Sequence, residues 1–94
     1  MKPTEAQVRE LWEWCGQKNI IFVDGLCMHD NSKGQRTWLN LDLNNLFQYA
    51  TDRVKDKIGE KEYFKLLVGW CQKVARGEDH LAKALFWAIY PILK

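Results

Sequence analysis

The sequence predicts an α+β domain of about four helices and a small antiparallel β-hairpin or three-stranded meander, with the C-terminal helix at its centre. Three stretches carry this reading. Residues 81–93, LAKALFWAIYPIL, are almost wholly apolar. At about 100° per residue, Leu81, Leu85, Ala88, Ile89 and Ile92 share one side of a helix, widened by Ala82, Phe86 and Leu93. Only Lys83, Trp87 and Tyr90 take the other side, so this helix needs neighbours on more than one flank. The second stretch is Asp24-Gly25 between two apolar runs. The third is the helical recurrence of Leu43, Leu46, Phe47, Ala50, Val54 and Ile58 behind Asp42.

Taken in order, Thr4 followed by Gln7 makes a capping-box pattern and Gly16 a left-handed stop, which predicts a helix over residues 5–15. Val8, Leu11, Trp12 and Cys15 form its apolar face, and Trp14 lies on the flank. From Asn19 the period shortens: Ile20–Val23 and residues 26–29 read as strands joined at Asp24-Gly25, because both central positions of a type I′ turn need positive φ. A second turn over residues 30–34 returns the chain through residues 35–39 as a third strand, or as an extended lead-in to the next helix. Asp42 caps that helix, which ends at Gly59.

Residues 60–76 alternate poorly as a strand. As a helix they separate Tyr63, Phe64, Leu66, Leu67, Val68, Trp70, Cys71, Val74 and Ala75 from Lys65, Gly69, Gln72, Lys73 and Arg76 over four turns. The helix is therefore expected. Asp79 is expected to cap the last helix, and Pro91 to end or kink it near Tyr90. At about 1.5 Å per residue this last segment rises about 20 Å, short of a bilayer's roughly 30 Å core, so no membrane crossing is expected.

A chain of 94 residues, 47% hydrophobic and with 5 tryptophans, fits a single domain over 1–94 with one core and no disordered or repetitive segment. The formal net charge of +2 does not mark a nucleic-acid binder, which leaves the placement of the basic residues to decide. Residues 1–14 lack the apolar core of a signal peptide, and 3 cysteines without regular spacing suit free thiols in a reducing compartment. A cytoplasmic location follows as the expectation.

Residues 11–16 (LWEWCG), 41–50 (LDLNNLFQYA) and 84–89 (ALFWAI) together resemble a group of short bacteriophage and prophage proteins akin to the phage α-β-α sandwich type. The matching pieces cover about a third of the chain in the right order. That group carries no assigned activity, so the resemblance implies a bacterial host setting and no catalytic residues. In the group's pattern the aspartate before the last helix is followed by proline, where this chain has His80.

Cys15, Cys27, His29, Cys71 and His80 are the residue types that ligate zinc, but they form neither a C-x-x-C nor an H-x-x-x-H pair. Cys27 and His29, two apart on one strand, point the same way about 6–7 Å apart, too far for a nucleophile and its base. Cys71 with His80 across a turn is the other pairing, outweighed by a packed thiol and a solvated imidazole. No serine motif or glycine-rich phosphate loop is present. Neither an enzyme, a cofactor nor a small-molecule substrate is expected.

Two surfaces are left. Trp14, Trp38 and Trp87 fall off the apolar stripes, and exposed tryptophans favour a protein partner or self-association. Lys65, Lys73 and Arg76 make a basic helix face that suits nucleic acid or an acidic partner. The expectation is a small accessory protein of phage type that acts by binding another protein; the alternatives are a nucleic-acid-associated module and, third, an enzyme.

Overall fold

Thr4 Oγ1 accepts from the backbone N–H of Gln7 at 3.2 Å, and Gln7 Oε1 accepts from the N–H of Thr4 at 2.9 Å. Helix α1 (Glu5–Trp14) thus begins on a complete capping box, and Gly16 at φ +88° stops it. It buries Val8, Leu11 and Trp12. The computed structural model describes residues 2–77 and 80–93.

Strands β1 (Lys18–Val23), β2 (Leu26–Asp30) and β3 (Arg36–Trp38) form an antiparallel sheet in the order β1-β2-β3. The meander reading therefore holds, third strand included. Asp24 and Gly25 lie at φ +52° and +79°, the pair of positive values that lets a two-residue turn follow the strands' twist. At the second turn Asn31 Oδ1 accepts from the N–H groups of Lys33 and Gln35, both at 2.9 Å. β1 carries an irregularity between Lys18 and Ile21, with Asn19 at φ +55°. There Arg9 Nη1 donates to the Ile20 carbonyl at 2.8 Å and lies over the Phe22 ring at 5.5 Å. The bulge and the guanidinium together blunt this sheet edge.

Helix α2 covers residues 43–58 and is made of Leu43–Asn45, a π-turn at Leu46–Ala50 and Thr51–Ile58. Asp42 Oδ1 accepts from the N–H of Asn45 at 2.8 Å, the expected cap, and Gly59 ends the helix. Leu46, Ala50 and Val54 are fully buried. Phe47, expected in the same stripe, is 41% exposed. A π-turn takes more residues per turn than an α-helix, which swings Phe47 outward to meet Trp70 edge-on at 6.0 Å. The same turn sets Tyr49 perpendicular to Trp12 at 6.3 Å and edge-on to His29 at 5.9 Å.

Helix α3 (Glu60–Ala75) confirms residues 60–75 as helical. Its apolar arc is only partly covered: Tyr63, Leu66 and Trp70 pack against the core, whereas Phe64 and Val68 are 53% and 56% exposed. Helix α4 (Leu81–Ile89) sends Ala84, Leu85, Phe86 and Ile89 into the core. The expected cap at Asp79 lies outside the described residues; His80 precedes the helix and makes no capping bond through its side chain. Leu81, at the first turn, is 43% exposed, and its carbonyl accepts from Trp70 Nε1 at 2.9 Å. Pro91 ends the α-helix as expected, and Tyr90–Leu93 continues as a 3₁₀ turn. Tyr90 Oη donates to Glu10, and Lys57 Nζ to the Ile92 carbonyl, which ties this tail to α1 and α2.

Buried residues of α1, the inner sheet face, α2 and α4 join in one hydrophobic cluster. Among the described residues no helix is long and apolar enough to cross a membrane.

Candidate interaction surface

Residues directly opposite each other on antiparallel strands share a face. The register pairs Ile21 with Met28 and Met28 with Trp38, so these three form a row across all three strands. Val23 opposite Leu26 forms a second row beside it, toward the hairpin tip. All five lie on the side away from the core: Ile20, Cys27, His29 and Leu39 are buried on the other side. Val23, Leu26 and Trp38 are 45%, 51% and 52% exposed. Toward the opposite end the face turns polar, where Arg36 Nη2 meets Asp30 Oδ1 at 3.3 Å and Asn19 Nδ2 donates to Asp30 Oδ2 at 2.6 Å.

An antiparallel sheet with one dry face ordinarily shows polar residues on the wet one. Here the wet face is apolar over two rows, against that pattern.

The apolar surface continues past the hairpin tip. A groove of about 710 Å³ is walled by Pro3 and Val8 at the start of α1, Phe22 of the inner sheet face, Leu41 ahead of α2 and Ala82 of α4. Leu26 belongs both to this groove and to the outer face. Glu5 and Asp42 contribute carboxylates to its lining, and Lys2 and Lys83 cations. The groove is thus apolar along most of its walls, with a few charged groups at its lining.

The three tryptophans singled out by the sequence have different surroundings. Trp38 stands on the outer sheet face. Trp14 is half-buried at the end of α1, with Lys57 Nζ 5.9 Å from its ring centre, beside a shallow cleft lined by Tyr49, Asp52, Arg53 and Asp56. Trp87 is half-buried and edge-on to Phe86 at 4.9 Å and Tyr90 at 5.8 Å. Ile21, Val23, Leu26 and Met28 were not singled out. Their signal was the unbroken run IIFV followed by LCM, where a strand with one wet face should alternate.

Lys65 and Lys73 are exposed on α3, and Arg76 is exposed just past its end. Lys65 Nζ lies 3.4 Å from Glu62 Oε1, so a carboxylate stands within the basic stripe.

Cys15, Cys27 and His29 are buried and pack against the core. Burial pushes the Cys15 thiol up to about 12, against the pull of Arg53, and raises the Cys27 thiol against the pull of Arg9. A nucleophile needs the thiolate, which these sites disfavour. Cys71 is exposed on α3. A thiol-reactive reagent is therefore expected to modify Cys71 rapidly in the folded protein and Cys15 and Cys27 only in denaturant, as peptide mass mapping reads. Among the described residues no three His, Cys, Asp or Glu side chains stand close enough together to hold a metal ion.

His29 is 2% exposed, and its Nδ1 meets Gln17 Oε1 at 2.8 Å. An amide oxygen only accepts, so Nδ1 carries the proton. Burial lowers the His29 pKa from its usual 6.5, with Asp30 opposing. Because the folded value is the lower one, stability is undiminished above pH 6.5 and falls as acid protonates the unfolded chain first. Replacing His29 with Gln is expected to shrink the stability lost on moving from neutral to acidic pH, measured by urea unfolding across that window.

A scan of the chain against protein-family models finds no match, and searches of the curated proteins and of the solved structures find none either.

Proposed function

We propose that this chain is a protein-binding module whose contact surface is the outer sheet face, with Trp38 as its anchor. The observation that carries the reading is the two in-register apolar rows on the solvent side of the sheet.

The partner is a different protein. From strand spacing and rise, five residues on three strands cover on the order of 200 Å², and two such faces together bury far less than the roughly 1,200 Å² of a stable pair. The groove on the far side of the hairpin tip extends the surface for a partner that wraps around Leu26. Two flat faces pressed together leave that groove empty. The nucleic-acid alternative rests on Lys65, Lys73 and Arg76, and Glu62 within that stripe weighs against it. The likeness of three segments to phage proteins, itself a proposal, points to bacterial proteins as the pool in which to look.

The experiment is capture from bacterial extract by the immobilised chain, alongside Trp38→Ala and Leu26→Lys. The expected result is one protein retained in stoichiometric amount by the wild type and lost with both variants, whose unfolding midpoints stay near the wild type's. Truncating a central anchor typically weakens binding by about 2 kcal/mol or more, roughly thirtyfold. Equal retention by all three chains, or a purified wild type that sediments as a dimer dispersed by Trp38→Ala, overturns the reading.

A further inference from the structure

We propose that the outward stripe of α3 is a second docking surface, separate from the sheet, and that its occupant is an amphipathic helix of another protein with carboxylates beside its apolar side.

α3 runs for 16 residues without one buried side chain. Its inner side rests on the core through Tyr63, Leu66 and Trp70. Its outer side forms a shallow depression of about 580 Å³ lined by Phe64, Leu67, Val68, Cys71, Gln72 and Ala75, of which only Gln72 is polar. These positions advance by three or four, the spacing of a helix-packing seam. From residue 64 to residue 75 the seam is about 17 Å long at 1.5 Å per residue, enough for three turns of a helix laid along it.

Charge selects the occupant. At about 100° per residue, the border of the seam facing solvent carries Lys61, Lys65 and Arg76, while the other border runs into the body of the protein. A second copy packed antiparallel sets this border against its own equivalent, cation facing cation. A second copy packed parallel turns one helix's basic border toward the other protein's body. A helix with Glu or Asp beside its apolar residues matches the border instead, and the exposed pair of Lys65 with Glu62, at 3.4 Å, is weak enough to exchange for it. A lipid surface fits less well: an interfacial helix sinks its whole apolar face by about 5–10 Å, and much of this one is already covered by the core.

The test uses Cys71 as a reporter within the seam, since Cys15 and Cys27 are buried. The probes are two designed helical peptides of about five turns with the same leucine stripe, one bordered by Glu and one by Lys. The expected result is that the Glu peptide slows alkylation of Cys71 about tenfold at low salt, that the protection fades toward about 0.5 M salt, and that the Lys peptide gives none. Val68→Glu, at an exposed position, abolishes protection without moving the unfolding midpoint. The double variant Lys61→Glu, Lys65→Glu turns the preference toward the Lys peptide. Trp38→Ala leaves the protection intact, so failure here is distinct from failure of the sheet-face reading.

Protection by neither peptide, or equal protection by both, overturns the proposal. So does protection that grows with the chain's own concentration alongside dimer in sedimentation, or protection by phosphatidylglycerol vesicles and not by the Glu peptide.

Discussion

Phe86→Ala is expected to lower the free energy of unfolding by about 3–5 kcal/mol, the usual result of removing a fully enclosed aromatic ring. Phe86 has no exposed surface, stacks on Tyr90 at 5.4 Å and meets Trp87 edge-on at 4.9 Å. Tyr90 is held to Glu10 and Trp70 to the Leu81 carbonyl, so neighbouring groups have little freedom to close the hole. A domain of this kind has only about 5–15 kcal/mol in hand, so much of its stability goes with one side chain. Urea unfolding should show a lower midpoint with the slope unchanged. Leu81→Ala on the same helix, at a site 43% exposed, is expected to lose less than about 1 kcal/mol. Equal losses at the two sites would show that Phe86 is not held in a rigid enclosure.

The second large effect belongs to a residue with no side chain. Gly59 lies at φ +87° and ψ 160°, a region that residues with a Cβ avoid, yet a Cβ built there meets no atom within 4 Å. Gly59→Ala is therefore expected to destabilise by about 1–3 kcal/mol through backbone strain alone. Gly69, in the middle of α3, also faces open space but has ordinary helical geometry. Gly69→Ala is expected to stabilise by about 0.5–1 kcal/mol. Calorimetry on the two variants should find shifts of opposite sign from one chemical change. A shared sign would refute the conformational account of Gly59.

The features legible in the sequence were those that a few neighbouring residues decide. Thr4 with Gln7, Asp24-Gly25, Asp42, Gly59 and Pro91 act through hydrogen bonds or dihedral angles within a turn of themselves, and each sits where its pattern implied. What the pattern could not supply was how many neighbours each apolar side would have. Residues 63–75 read as one broad apolar arc, but α2 and α4 pack beside α3 on one side, and about half the arc is left outside. The same limit applies to the tryptophans. Trp14 and Trp87 left their stripes and found local cover from Lys57 and from Phe86 with Tyr90, while Trp38 found none comparable. The outer sheet face was half legible, since an unalternating strand announces two dry sides without saying what dries the second.

The π-turn in α2 acts as a frame mark. It holds one residue more than an α-helical turn, so everything after it is rotated relative to the part before it. Deleting a residue from Leu46–Ala50 turns the second half of α2 by about 100°, carrying Val54 off the inward side. Any chain that shares this architecture with an unswollen helix here must have its downstream apolar residues displaced by one position. Ancestry could then be read from the phase of a helix where identity of residues has faded.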